Sequence, residues 1–94
     1  MAVVYVLYSY TANKFYIGRT KDLEKRLEYH IVKEFKNSFT AKYSDWELFL
    51  EISGLNNSMA VKIEAHIKKM KSKSYIHNLK KYPEIIEKLM VKYS

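Results

Sequence analysis

The 94-residue chain has no cysteine, a single proline and only 2 glycines. The missing cysteine excludes a disulfide framework, cysteine-ligated zinc and a thiol nucleophile. So few breakers leave little to interrupt regular structure, and with 48% hydrophobic residues the composition is that of a folded globule rather than a disordered tail. No apolar run approaches the ~18 residues that a membrane span needs. The apolar opening, Ala2 to Leu7, has no basic region before it and no small-residue cleavage site after it, so it reads as a strand and not as a leader. A soluble, cytoplasmic protein is expected, nucleoid-associated if prokaryotic. Acidic residues are the minority: 10 Asp+Glu face 17 Lys+Arg, a formal charge of +7, and so basic a body suits a polyanionic partner, nucleic acid first. The length is that of one domain, expected over residues 1–94 with a core of about 3–78 and a C-terminal helical brace of about 83–93.

Val3, Val4, Tyr5, Val6, Leu7, Tyr8 and Tyr10 are almost all β-branched or aromatic, as in a strand buried on at least one face. A polar turn, Thr11 to Lys14, leads to Phe15, Tyr16, Ile17 and Gly18, so the two runs read as an antiparallel hairpin. Thr20 and Asp22 offer N-cap chemistry before Leu23, Leu27 and Ile31, which recur every fourth residue and mark an amphipathic helix to about Lys33. Residues 34–45 have no clear period and are expected to loop. Trp46, Leu48, Phe49, Leu50 and Ile52 form a third strand ended by Gly54. A second helix follows, capped by Asn57 or Ser58, with Ala60, Ile63, Ile67 and Met70 as its apolar stripe. Pro83 then starts a short last helix carrying Ile85, Ile86, Leu89 and Met90. The order β-β-α-β-α-α describes an α+β fold, a three-stranded antiparallel sheet flanked by helices.

Several polar residues sit at the edges of these apolar stripes. Arg26 and His30, one helical turn apart, lie beside the stripe of the first helix rather than opposite it. Glu64 stands at the rim of the second helix's buried face, where a carboxylate is usually paired or coordinating, although Lys68 four residues on is also placed to bridge it. Tyr5 and Tyr16 put two phenols on adjacent strands. His66 and His77 have no metal-ligand spacing and read as surface residues. Phosphodiester hydrolysis needs a group to take or relay the proton of an attacking water and an arginine to neutralise charge on the phosphoryl oxygens. A carboxylate can add a divalent cation whose remaining shell is water and phosphate. Lys68, Lys69, Lys71 and Lys73, followed by Lys80 and Lys81 with Tyr75 and Tyr82 interleaved, suit a solvated face or a phosphate-tracking surface.

Val3-Val4-Tyr5, followed eleven residues after Tyr5 by Tyr16-Ile17-Gly18, resembles the paired motif of the GIY-YIG nucleases, with Val3-Val4 in place of Gly-Ile and the second half intact. The resemblance continues through Arg26, ten residues after Tyr16, then His30, Glu64 and Asn78, and covers the chain from Val3 to about Asn78. Its length is most similar to small stand-alone members related to excision-repair and structure-specific nucleases. The resemblance implies a β-β-α-β-α core and hydrolysis of DNA with one Mg²⁺ or Mn²⁺. It implies Tyr5 and Tyr16 around the scissile phosphate, one of them acting as or positioning the general base, and Arg26 as phosphate clamp. Glu64 would be the metal ligand, His30 a proton acceptor or water-orienting group, and Gly18 and Asn78 supports of the site. The expected function is metal-dependent DNA cleavage on branched, nicked or damaged DNA in repair or recombination, with a larger protein partner supplying specificity. The rival expectation is a nucleic-acid-binding module on the same fold with little or no catalysis.

Overall fold

A computed structural model describes residues 2–25 and 46–94. Strands β1 (Ala2–Ser9), β2 (Lys14–Thr20) and β3 (Trp46–Leu55) are followed by helices α1 (Asn57–Met70), α2 (Lys73–Lys81) and α3 (Pro83–Lys92). The strands form one antiparallel sheet in the order β2-β1-β3, so the first strand lies in the middle. Its near-continuous apolar sequence has a direct cause: both of its faces are covered. Val4 and Val6 join Ile52, Leu55, Ala60, Ile63, Ile67, Ile76, Leu79 and Leu89 in the main core, under the helices. Tyr5 and Leu7 point the other way and pack with Trp46, against which Tyr16 and Leu23 rest.

The hairpin forms where the alternation placed it, with Tyr10 exposed in the turn rather than continuing the strand. The turn closes on Asn13 at φ 52, a left-handed conformation that asparagine tolerates well. β3 runs three residues past Ile52, through Gly54. The β1–β3 register shifts between Ala2 and Val4, opposite this segment, and Gly54 at φ 75 gives the chain a backbone that absorbs the extra residue without ending the strand. After β2, Thr20 Oγ1 accepts from the Asp22 N–H and Asp22 Oδ1 from the Lys25 N–H, both at 3.1 Å, so Asp22 caps the helical residues 23–25. The rest of that expected helix and the loop expected over 34–45 lie outside the described residues.

Asn56, and not Asn57 or Ser58, caps α1: its Oδ1 accepts from the Met59 N–H at 2.8 Å. Met70 is corrected too. It belongs to the last turn and is 44% exposed, while Ala60, Ile63 and Ile67 carry the buried stripe. A further helix, α2, is absent from the expected order β-β-α-β-α-α; Ser72 caps it by accepting from the Tyr75 N–H at 3.1 Å. Ile76 and Leu79 bury its inner face, and Leu89 does the same for α3, whose Ile85, Ile86 and Met90 pack partly buried against the same core. No helix of the described residues is long and apolar enough to cross a membrane.

Candidate active site along the edge strand

The site is built on β2, the edge strand nearest α1. Successive side chains of a strand alternate faces, so Tyr16 and Gly18 share one face with Tyr5 of β1, and Phe15, Ile17 and Arg19 share the other with α1. On the first face the Tyr5 and Tyr16 rings lie with centroids 6.4 Å apart and planes inclined by 33°, and Trp46 meets Tyr16 edge-on at 6.4 Å. Tyr5 is 2% exposed, whereas Tyr16 is half-buried, so Tyr16 is the phenol that solvent reaches more readily.

Gly18 is the direct cross-strand partner of Tyr5. A methyl group there would fall 2.5 Å from the Tyr5 Oη and 2.7 Å from Cζ, so the missing side chain is the space in which the phenol lies. The glycine therefore supports the site by seating a tyrosine, a reason different from the close ligand approach usually ascribed to a strand glycine.

On the opposite face Glu64 is buried at the rim of α1, with its side chain 10% exposed. Arg19 Nη1 donates to Glu64 Oε1 at 2.5 Å, and Lys68 Nζ lies 3.3 Å from Oε2. The carboxylate thus tolerates burial because two cations compensate it. Arg19 was not legible in the sequence as a site residue, since an arginine following a strand glycine reads as a solvated edge residue and its partner is 45 positions away. The Lys68 contact is the i,i+4 bridge the sequence offered.

From Lys68 the surface continues into a cleft of about 240 Å³ with an apolar floor that includes Ile17 and Ile67 and a rim of Lys14, Lys68, Lys71 and Lys73. Lys73 also donates to the Asn13 carbonyl at 2.6 Å, tying the start of α2 to the hairpin turn, and Lys71 is the left-handed residue that ends α1. Lys69 points elsewhere, into a hollow beside His66. Asn78 is exposed on α2, where its backbone carbonyl accepts from the Tyr82 N–H at 2.8 Å. Arg26 and His30 lie outside the described residues.

His66 is not the plain surface residue its spacing suggested. Nε2 is 3.1 Å from the Tyr75 hydroxyl and Nδ1 is 3.1 Å from that of Tyr93, so the ring links all three helices. Burial, with Lys92 and Lys69 nearby, lowers its pKa below the ordinary histidine value, and burial together with Tyr93 raises that of Tyr75. His77 is exposed, with its ring edge-on to Phe15 and Phe49 at 5.5 and 5.3 Å.

Among the described residues no group of three or more His, Asp or Glu side chains is placed to hold a metal. Glu64 alone nevertheless fits a hydrated Mg²⁺, which takes hard oxygen donors, often one or two carboxylates, and fills its octahedron with water and substrate phosphate. Among the described residues each Glu64 oxygen is engaged by one cationic donor, which leaves further lone-pair capacity on both.

In comparison with known proteins, the family profile of the GIY-YIG catalytic domain matches residues 1–82. No curated protein and no solved structure matches the chain significantly.

Proposed function

The chain belongs to the GIY-YIG catalytic domain family, a family of nuclease domains, and from that premise we propose that it is a divalent-metal-dependent DNA endonuclease acting on branched, nicked or damaged DNA in repair or recombination. The observation that carries the reading is the position of Glu64: a nearly buried carboxylate, held by Arg19 and Lys68, at the head of a lysine-rimmed cleft and across the edge strand from a tyrosine pair. The lysines supply the electrostatic, sequence-independent part of binding, which weakens as salt rises.

In this mechanism Glu64 is the residue that would hold Mg²⁺ or Mn²⁺, whose chemistry when bound would be charge stabilisation at the scissile phosphate and the leaving oxygen. The chain's own residues do the rest. The cleft lysines align the backbone. Tyr16, the more accessible phenol, orients or deprotonates the attacking water, and Tyr5 fixes the Tyr16 ring from behind. Arg19 moves part of its grip from Glu64 to a phosphoryl oxygen as negative charge builds there, because a planar guanidinium serves a carboxylate or a phosphate equally well. Arg26 as clamp, His30 as proton acceptor or water-orienting group and Asn78 as support complete the set by family resemblance. The protein then works where cellular DNA is held, cytoplasmic or nucleoid-associated, with a larger partner protein to supply specificity.

The test is incubation with labelled linear, flap and branched DNAs, with and without Mg²⁺ or Mn²⁺, beside Glu64→Ala. Metal-dependent cleavage that the substitution removes supports the nuclease. Salt-sensitive binding with no cleavage in either metal would replace it with a binding module on the same fold.

A further inference from the structure

We infer that the hollow between α1 and α3, centred on His66, is a second phosphate-binding site that takes a stretch of the nucleic-acid substrate away from the scissile bond. The inference rests on the nucleic-acid reading above but concerns a surface that the active site does not use.

α1 has two polar flanks separated by its buried stripe of Ile63 and Ile67. Glu64 and Lys68 lie on the flank towards β2, where Arg19 meets them. Lys62, His66 and Lys69, spaced i, i+4 and i+7, share the other flank, where His66 reaches Tyr75 and Tyr93. There α1 and α3 border a hollow of about 640 Å³, lined among others by Lys62, His66, Lys69, Lys92 and Tyr93 and, among the described residues, by no carboxylate. Unlike Lys68, the three lysines of this hollow form no ion pair among the described residues. Lys92 rests over the Tyr93 ring at 5.3 Å, but no carboxylate among the described residues pairs with any of the three ammonium groups, which repel one another until an anion is seated among them.

The ring at the centre is held between two phenols, with Nε2 3.1 Å from the Tyr75 hydroxyl and Nδ1 3.1 Å from that of Tyr93. A neutral imidazole donates through one nitrogen and accepts through the other, so of its two tyrosine partners one must accept from it. The hydroxyl that accepts keeps its own proton for another acceptor. With the ring proton on Nδ1 that hydroxyl is Tyr93, which lines the hollow, so an anion there gains a phenolic donor besides the lysines. Lysines act as point charges and suit phosphate without demanding a fixed orientation, as a sequence-independent contact requires. The volume exceeds what one phosphate group fills and admits a length of backbone. Lying across the buried stripe from Glu64, the site contacts phosphates other than those in the first cleft.

Two measurements test this in EDTA, so that neither depends on cleavage. In the first, binding of a labelled branched DNA is followed by anisotropy across a salt series for the unmodified chain and for Lys62→Ala/Lys92→Ala. Each lost phosphate contact lowers the slope of log affinity against log salt by about 0.9, so the double variant should lose close to 2. In the second, the side-chain NMR signals of Lys62, Lys69, Lys92 and Tyr93 of the unmodified protein are followed at one fixed pH, alone, with the DNA, and with inorganic phosphate. A phosphate seated in the hollow should shift these signals when DNA is added. Shifts with inorganic phosphate and none with DNA would mean a small phosphate-bearing ligand and overturn the assignment. So would an unchanged salt slope together with unmoved signals. A protein that fails to cleave but shows both DNA effects loses the nuclease reading and keeps this one.

Discussion

Gly18 and Tyr5 face each other across the β1–β2 ladder, and the tyrosine hydroxyl occupies the space that any side chain at position 18 would need. Gly18→Ala places a methyl 2.5 Å from Oη, and the nearly buried ring has little room to retreat. Overpacking of this kind costs about 1–3 kcal/mol, read as a lower denaturant midpoint, and DNA cleavage should fall with it because the phenol is displaced. Adding Tyr5→Phe should restore part of the stability by removing the nearest clashing atom, a non-additivity that places the two residues in contact. Additive effects would disprove the seating role.

Glu64 and Arg19 should separate catalysis from stability. Glu64→Gln keeps the shape but not the charge, and metal-dependent cleavage is expected to drop by about 100-fold or more, the scale of a few kcal/mol of lost charge stabilisation. Arg19 is 45% exposed, so Arg19→Ala should change stability by about 0.5 kcal/mol at most while slowing single-turnover cleavage roughly 10–100-fold. Arg19→Lys should recover only part of the rate, since a point charge cannot reproduce the planar fork. Equal losses of stability and rate would make Arg19 a purely structural partner of Glu64.

The lowered pKa of His66 fixes the sign of one pH dependence. Between that folded-state value and the ordinary value of about 6.5, the unfolded chain binds more protons than the folded one, so stability must fall as pH drops through this window. Protonation also takes an acceptor from one of the two tyrosine bonds. Denaturant midpoints compared at about pH 7.5 and about pH 5.5 should show a decline that His66→Gln flattens. An identical decline in the variant would assign the dependence to other groups.

The cap of α1 can be assigned by a pair of substitutions. Asn56→Ala should cost about 1 kcal/mol, because it leaves the Met59 N–H without its side-chain acceptor. Asn57→Ala, at an exposed first position of the helix, should stay within about 0.5 kcal/mol. Thermal melts of the two variants are sufficient.

What the sequence made legible follows from where the driving force is local. The hairpin and α1 announce themselves through dense β-branched residues and through Ala60, Ile63 and Ile67 at helical spacing. α2 does not: Ile76 and Leu79 are its only buried residues among Lys, Ser, His and Asn, too few to make a legible apolar stripe. Gly54 looks like a strand end because glycine weakens strands, yet here it serves a register shift that depends on β1, some fifty residues earlier in the chain. In the site, Tyr5, Tyr16 and Glu64 stood out through motif and phase. Arg19 and the His66 pair of bonds did not, because each depends on a partner brought from a distant element, and single residues carry no trace of that.

The central place of β1 also orders assembly in time. Its pairing with β2 closes a short loop and can form early, while its pairing with β3 must wait for a segment that begins at Trp46. Until that segment arrives, the apolar run from Ala2 to Leu7 has one unpaired edge, and on the ribosome or in refolding this is the stretch most open to wrong association. Once β3 has docked, the same strand is hydrogen-bonded on both sides and covered on both faces, so its amides should be the last in the molecule to exchange with solvent.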